Sequence, residues 1–239
     1  MDLSVVIPVK DEAANVAPLV AELRAALDGL LDYEIVYVDD GSEDGTAAEV
    51  ARLQAEAPHL RLLRHMRNYG QSAAIRSGVR AARAAWVATL DGDGQNDPAD
   101  IPKLCRIGLT APDAPSLLIA GYRESRQDSW AKRLASQIAN RVRRRILGDD
   151  TSDTGCGLKL FPRALFLDLP YFDHMHRFLP ALVQREGGRV VSVPVNHRPR
   201  ERGVSNYGTL DRLAVAVADV LGVIWLQRRA KRPEILRDG

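Results

Sequence analysis

Four short apolar runs separated by helix-patterned stretches constrain this chain more than any other feature. The runs occupy residues 4–9 (Ser-Val-Val-Ile-Pro-Val), 34–38, 60–63 and 86–90. The first is almost continuously β-branched, as a strand buried on both faces of a sheet requires. Between them, residues 13–31 repeat apolar side chains at Val16, Leu19, Val20, Leu23 and Leu27, and residues 46–55 and 72–84 read as further helices. Strand and helix alternating in this way predict an α/β fold: a mostly parallel sheet with helices packed on both faces. In such sheets the crevice lies beyond the strand C-termini. Val9-Lys10-Asp11-Glu12, Asp39-Asp40-Gly41-Ser42 and Asp91-Gly92-Asp93 each follow a run at that end. Their coincidence at one edge predicts a site.

The second half is less regular. Residues 117–120 predict a short strand leading to Gly121-Tyr122-Arg123, and 130–147 a helix with Leu134, Ile138, Val142 and Ile146 spaced by four. Residues 190–195 alternate like a half-exposed strand. Residues 210–229 predict a last helix, apolar at Leu213, Val217, Val220, Leu221, Ile224 and Trp225 and interrupted by Asp219. Its apolar stretch, 213–226, is short of the ~18 residues a membrane span takes. It suits a membrane surface, an oligomer contact or an ordinary core.

With 239 residues, 46% of them hydrophobic, the chain can bury one sizeable core. A net charge of +2 points to no nucleic-acid partner. Cys105 and Cys156 are too few for a disulfide scaffold and read as free buried thiols. The N-terminus runs straight into a strand pattern without a basic-then-apolar leader. The expected location is therefore cytoplasmic, peripheral on the cytoplasmic face of a membrane.

Leu90-Asp91-Gly92-Asp93-Gly94-Gln95 sets two carboxylates one residue apart where a strand ends. Hard oxygens so placed suit Mg²⁺ or Mn²⁺ together with phosphate oxygens, although Asp/Gly turns are also ordinary loop material. Asp39, at the end of the second run, is placed to accept hydrogen bonds from a ligand such as a nucleobase. Ser42, Asp44 or Thr46 serves equally as a helix cap. His174-Met175-His176 lacks flanking ligands at zinc spacing and reads as a helix start near the path of an acceptor.

Taken together, these pieces resemble the family 2 glycosyltransferases of the GT-A fold. The matching residues are Val5-Val6-Ile7-Pro8-Val9 with Glu12, Val38-Asp39-Asp40-Gly41-Ser42 with Asp44-Gly45-Thr46, Arg67-Asn68-Tyr69-Gly70 with Ala74 and Gly78, and Leu90 to Gln95. Ser152-Asp153-Thr154-Gly155-Cys156-Gly157, His176 to Leu182, and His197-Arg198-Pro199-Arg200 with Gly203 and Ser205-Asn206-Tyr207 look like the polyprenyl-phosphate branch, which includes dolichol-phosphate mannosyltransferases and undecaprenyl-phosphate sugar transferases. The resemblance implies a GT-A domain over residues 1–206, an amphipathic helix over 207–229 and a tail over 230–239. It implies that Asp91, Asp93 and Gln95 hold the metal on a nucleotide-sugar diphosphate, and that Pro8, Val9, Glu12 and Asp39 line the nucleoside pocket. Asn206 stands where the branch usually carries Lys, so a phosphate-binding charge is missing there, with Arg202 as its candidate replacement.

The resemblance implies a polyprenyl phosphate as acceptor, and displacement by its oxygen from the face opposite the leaving group would invert the anomeric centre. The acceptor phosphate is largely dianionic at neutral pH and needs a cationic clamp rather than a strong base. Arg123, Arg133 and Arg200 match arginines of the branch, with Asp153 near the acceptor or the sugar. Lys132, Arg141, Arg143, Arg144 and Arg145 serve equally as a solvated face or as contacts to anionic headgroups. The donor base is uracil by closeness to the bacterial enzymes, with guanine open. The competing readings are a family 2 transferase acting on a hydroxyl of a glycan or lipid A, which needs a carboxylate base, and a non-catalytic nucleotide-binding protein of the membrane surface. A nucleotidyltransferase would need a Gly-rich triphosphate loop, which is absent.

Overall fold

The computed structural model describes residues 1–123, 148, 151, 153–199 and 211–231, with only the backbone at 211–216. The expectations for the helix at 130–147, for Arg133, for Ser152 and for Arg200, Arg202, Ser205, Asn206 and Tyr207 lie outside the described residues.

The described strands are β1 (Leu3–Val9), β2 (Tyr33–Asp39), β3 (Leu60–Arg64), β4 (Trp86–Thr89), β5 (Leu117–Arg123), β6 (Lys159–Pro162) and β7 (Arg189–Val195). They form one sheet in the order β3-β2-β1-β4-β6-β5-β7. The helices are α1 (Ala13–Leu27), α2 (Thr46–Gln54), α3 (Gln71–Ala81), α4 (Ile101–Thr110), α5 (Arg163–Asp168), α6 (Leu179–Arg185) and α7 (Asp211–Arg228). All strand pairs are parallel except those made by β6, which runs antiparallel to both β4 and β5. The mostly parallel α/β sheet is therefore as expected. β6 was not expected, because its four residues carry no period of their own.

Period-two alternation divides the strands between two cores. Leu3, Val5, Ile7 and Val9 of β1 pack with α1, α2 and α4 on one face. Val6, Val36 and Val38 pack with α3, α5, α6 and Val223 of α7 on the other. Each such side chain taken fully from water contributes roughly 1.5–3 kcal/mol. Glu34 is a buried charge on the far strands of this face. Glu34 accepts hydrogen bonds from Ser4 Oγ (2.7 Å), Arg61 Nη1 (2.6 Å) and the Arg83 backbone N–H (2.6 Å). Burial pushes its carboxyl up, but these bonds outweigh burial and hold it below its ordinary value. The same network ties the turn between α3 and β4 to β1, since the Ala84 N–H donates to Ser4 Oγ.

Helix α1 ends at Leu27, four residues before the end expected from apolar spacing, because Asp28 is extended (ψ 128°) and Gly29 takes a left-handed φ of 76°. Helix α3 likewise stops at Ala81 rather than residue 84, where Ala82 turns extended. Cys105 and Cys156 are free and buried, as expected. No helix among the described residues is long and apolar enough to cross a membrane.

Candidate active site

The C-terminal ends of β1, β2 and β4 sit side by side, because β1 pairs in parallel with both neighbours and aligns Val9 with Asp39. Asp39 is fully buried. Its Oδ1 accepts the Ser42 backbone N–H at 2.9 Å. Its Oδ2 makes no hydrogen bond, and the exposed Arg64 Nε stands 3.4 Å away out of alignment. A buried acceptor left without a donor is costly, and a ligand N–H or O–H would satisfy it. Asp40 does different work. It accepts the Tyr69 and Gly70 backbone N–H groups (2.9 and 2.8 Å) and meets His65 Nδ1 at 2.7 Å, fixing the loop that leads into α3.

Glu12 precedes α1. Its backbone N–H donates to Thr46 Oγ1 (2.9 Å), and its Oε2 accepts from Asn15 Nδ2 (2.6 Å). Asp44 caps two helices at once, accepting the Thr46 N–H (2.8 Å) and the Ala13 N–H (3.1 Å). The capping reading of this loop and the ligand reading of Asp39 therefore concern different carboxylates.

Asp91 lies two residues beyond β4, in the wall of a cleft of about 650 Å³. Pro8, Thr89 and Leu90 share that wall with Gln71 and Ile75 of α3, the 154–157 loop, Lys159, His176 and Arg177. Gln71 Nε2 donates to Asp91 Oδ1 at 2.8 Å. Burial first, and the neighbouring Asp93 charge second, push the Asp91 carboxyl up to about 6, against the pull of Lys159, Arg123 and Gln71. Glycine at 92 lets the turn press on β1, where a Cβ would collide with Val9 Cγ1.

Asp93 opens onto a second hollow of about 180 Å³, shared with Asn15, Pro18, Glu22 and Arg198. Its Oδ1 accepts the Gln95 backbone N–H at 3.1 Å. The Gln95 side chain turns toward the Arg198 carbonyl (3.4 Å), not toward Asp91. Among the described residues no group of three or more His, Cys, Asp or Glu side chains is placed to hold a metal ion. The donor set still fits a hard cation, since Mg²⁺ commonly takes one or two carboxylates and completes its shell with phosphate and water. A desolvated Asp91 raised by a like-charged neighbour is the state that such a cation would relieve.

Arg123, at the end of β5, is committed to Asp153 in a two-pronged pair, Nε to Oδ2 at 2.6 Å and Nη2 to Oδ1 at 2.9 Å. The two residues expected separately near an acceptor are thus one unit. Arg198 grips Glu22 (2.7 and 3.2 Å) and the Asn96 carbonyl (3.0 Å), anchoring the segment before Arg200 beside the Asp93 turn.

Two cleft residues, Gln71 and Lys159, were not picked out from sequence, and a third, His176, was read for a different role. Gln71 follows the Arg67-Asn68-Tyr69-Gly70 motif by one position. Lys159 is a lone cation in an apolar stretch, Leu158-Lys159-Leu160-Phe161, and that contrast was the available signal. His176 belonged to a motif read as a helix start. It sits in a 3₁₀ turn, Met175–Arg177, with Nδ1 2.7 Å from Ser72 Oγ. Burial, aided by Lys159 and Arg177, pushes its pKa down to about 3, so the ring is neutral. His174 takes a left-handed φ of 63° and meets Asp219 of α7 at 3.1 Å, a packing role rather than a metal site.

With this geometry in view, comparison with known proteins is informative. The model of the family described as Glycosyl transferase family 2 matches residues 4–169. A dodecaprenyl-phosphate galacturonate synthase of Rhizobium johnstonii is 35% identical over 239 residues, covering 98% of this chain and 69% of its own length. An undecaprenyl-phosphate 4-deoxy-4-formamido-L-arabinose transferase of Edwardsiella ictaluri is 37% identical over 211 residues, covering 87% and 63%. The chain therefore spans about two thirds of the length of these relatives. Among solved structures, glucosyl-3-phosphoglycerate synthase from Mycobacterium tuberculosis with phosphoglyceric acid superposes with a TM-score of 0.67 at 21% identity, covering 98% of this chain and 81% of that one. The same enzyme with Mg²⁺ and uridine diphosphate gives 0.66 at 19%, covering 98% and 80%. At that identity the likeness establishes the fold, and the fold is GT-A.

Proposed function

We propose that this chain, which belongs to glycosyl transferase family 2, moves a sugar from a nucleotide-diphosphate sugar to a polyprenyl phosphate with inversion at the anomeric carbon. The observation that carries the reading is the grouping of Asp39, Pro8 and Asp91 at adjoining strand ends, with Pro8 and Asp91 in the wall of a cleft that Lys159 and Arg177 also line. Similarity to two polyprenyl-phosphate sugar transferases supports the acceptor class.

In this reading Asp39 receives the nucleobase on its unsatisfied Oδ2, with Pro8, Val9 and Glu12 shaping the nucleoside pocket. The base is uracil by preference, because uridine diphosphate occupies a structural neighbour, and guanine is the other choice. Asp91 and Asp93, with Gln95 as the third residue of the family motif, are the residues that would hold Mg²⁺ or Mn²⁺. When bound, the ion supplies positive charge to the departing diphosphate. An acceptor phosphate oxygen bonds to the anomeric carbon from the face opposite the diphosphate, and the carbon–oxygen bond to the diphosphate breaks. Arg123, Arg133 and Arg200 form the acceptor clamp. Asp153 acts through Arg123, whose guanidinium it holds in one plane. Because the phosphate arrives ionised, no base is required. The same pairing disfavours a hydroxyl acceptor, since Asp153 is already spent on Arg123 and cannot take a proton readily.

Helix α7 contributes a membrane contact. Val217, Leu221 and Trp225 are more than half exposed and recur every four residues, ending at Arg228 and Arg229. An apolar stripe with basic residues at its end suits an anionic bilayer surface, which supports a protein working at the membrane that carries its acceptor. The deciding experiment offers a labelled UDP- or GDP-sugar with Mn²⁺ to a short-chain polyprenyl phosphate and to the matching alcohol. Transfer to the phosphate is expected. Transfer to the alcohol alone, or to neither, rejects the reading.

A further inference from the structure

Lys159 is the least expected charge in the molecule. It opens β6, in the middle of the sheet, between Thr89 of β4 and Ala120 of β5. It is 3% exposed. Among the described residues its ammonium makes no ion pair within 4 Å. Its Nζ donates to the Thr154 carbonyl (3.4 Å) and to the Cys156 carbonyl. Burying a cation on carbonyl partners alone is costly, and an apolar side chain would serve the sheet better. That cost is set at the wall of the cleft beside Asp91.

The loop that Lys159 grips lies directly over Asp91. Position 157 must be glycine, because any Cβ there would fall on the Asp91 carboxylate. Thr89 Oγ1 holds the same loop through the Gly157 carbonyl at 2.7 Å. Asp153 holds its start, accepting the Gly155 backbone N–H at 3.1 Å. Among the described residues, the titratable groups acting on Lys159 include Cys156, Asp91 and Asp153, with Arg123 opposing them.

We propose that Lys159 is a positioning residue of the donor site: its ammonium clamps the 154–157 loop against Asp91 and sets a fixed positive charge beside that carboxylate, so that Asp91 meets the sugar diphosphate in one orientation. The proposal rests on the donor-site reading above. It assigns Lys159 no contact with substrate.

The test compares Lys159→Met and Lys159→Arg with the wild type in the full chain. Binding of UDP and of GDP is measured by calorimetry with Mn²⁺, transfer kinetics are measured with the nucleotide sugar that the wild type uses, and thermal unfolding is followed in parallel. Lys159→Met is expected to weaken Mn²⁺-dependent nucleotide binding and to raise KM for the nucleotide sugar at least tenfold in folded protein. Lys159→Arg is expected to recover most of that loss. If Lys159→Met is folded and keeps binding and KM within twofold, the proposal is overturned. The same holds if the midpoint of unfolding falls while KM stays fixed, which is the mark of a structural role alone. Should Lys159→Met not fold, Lys159→Gln takes its place, since it keeps a donor for the loop carbonyls and removes the charge: its KM is expected to rise severalfold, and an unchanged KM overturns the proposal. A wild type that binds neither nucleotide defeats the donor-site reading, a result distinct from a wild type that binds and variants that match it.

Discussion

Replacing Gly157 by alanine probes the donor site through a single methyl group. The added Cβ would stand no more than 2.5 Å from the carboxylate carbon and both oxygens of Asp91. Gly157 is not in the left-handed region, so the substitution strains no backbone angle and acts by collision alone. Ordinary separation between such atoms requires a shift on the order of 1 Å. The loop is poorly able to supply it, being held through the Gly157 carbonyl by Thr89 at 2.7 Å and through the Cys156 carbonyl by Lys159. Asp91 must therefore give way and lose its 2.8 Å bond from Gln71. A displacement of that size at a positioned group reduces turnover on the order of 10²-fold, about 2.7 kcal/mol of barrier, while overpacking removes roughly 1–3 kcal/mol of stability. Initial rates with a nucleotide sugar and a short-chain polyprenyl phosphate measure the first quantity, and urea unfolding the second. Gly222→Ala is the control: nothing lies within 4 Å of its Cβ in α7, so activity holds and stability rises by roughly 0.5–1 kcal/mol. A Gly157→Ala protein with wild-type turnover would refute the claim that the orientation of Asp91 governs the reaction.

Three other outcomes are expected. Asp93→Ala abolishes transfer and weakens Mn²⁺-dependent nucleotide binding, read by thermal shift across a nucleotide-sugar panel; near-normal turnover would remove Asp93 from the metal site. Glu34→Gln destabilises the fold by roughly 2–4 kcal/mol at neutral pH, because a buried network loses its charge. Since the Glu34 pKa is depressed in the folded state, its contribution is present above the ordinary carboxyl pKa and is lost as pH falls through the folded-state value; urea titrations from neutral to acid pH test this, and equal pH dependence in wild type and variant would contradict it. Leu221→Asp with Trp225→Asp reduces co-sedimentation with anionic vesicles and leaves transfer to a soluble short-chain acceptor intact, whereas unchanged sedimentation would assign the α7 stripe elsewhere.

The sheet was legible because parallel strands buried on both faces are written as apolar runs, and β1 to β4 each fall within two residues of such a run. β6 was hidden because its outer neighbours, not its own pattern, make it a strand: four residues held on both sides need no period. The same reason concealed Lys159, since a single cation in an apolar stretch gains meaning only from the turn it faces. Asp39 and Asp91 were readable from their place at strand ends. The pairing of Arg123 with Asp153 was not, because thirty positions separate them and only the adjacency of β5 and β6 joins them. Gln95 was read with Asp91 and Asp93 as a metal residue, and the bridge between Asn96 and His197 turns its stretch toward the chain after β7, where its side chain meets the Arg198 carbonyl.

The reversed strand at the middle of the sheet has a mechanical consequence. β6 is stitched to β4 on one flank and to β5 on the other, so the half of the sheet that carries Asp39 and Asp91 and the half that carries Arg123 form a single stiff plate. On the proposed reading, the spacing between the donor and acceptor subsites of that plate is set when the protein folds, and reactants would come and go over its rim rather than by a parting of β4 from β5.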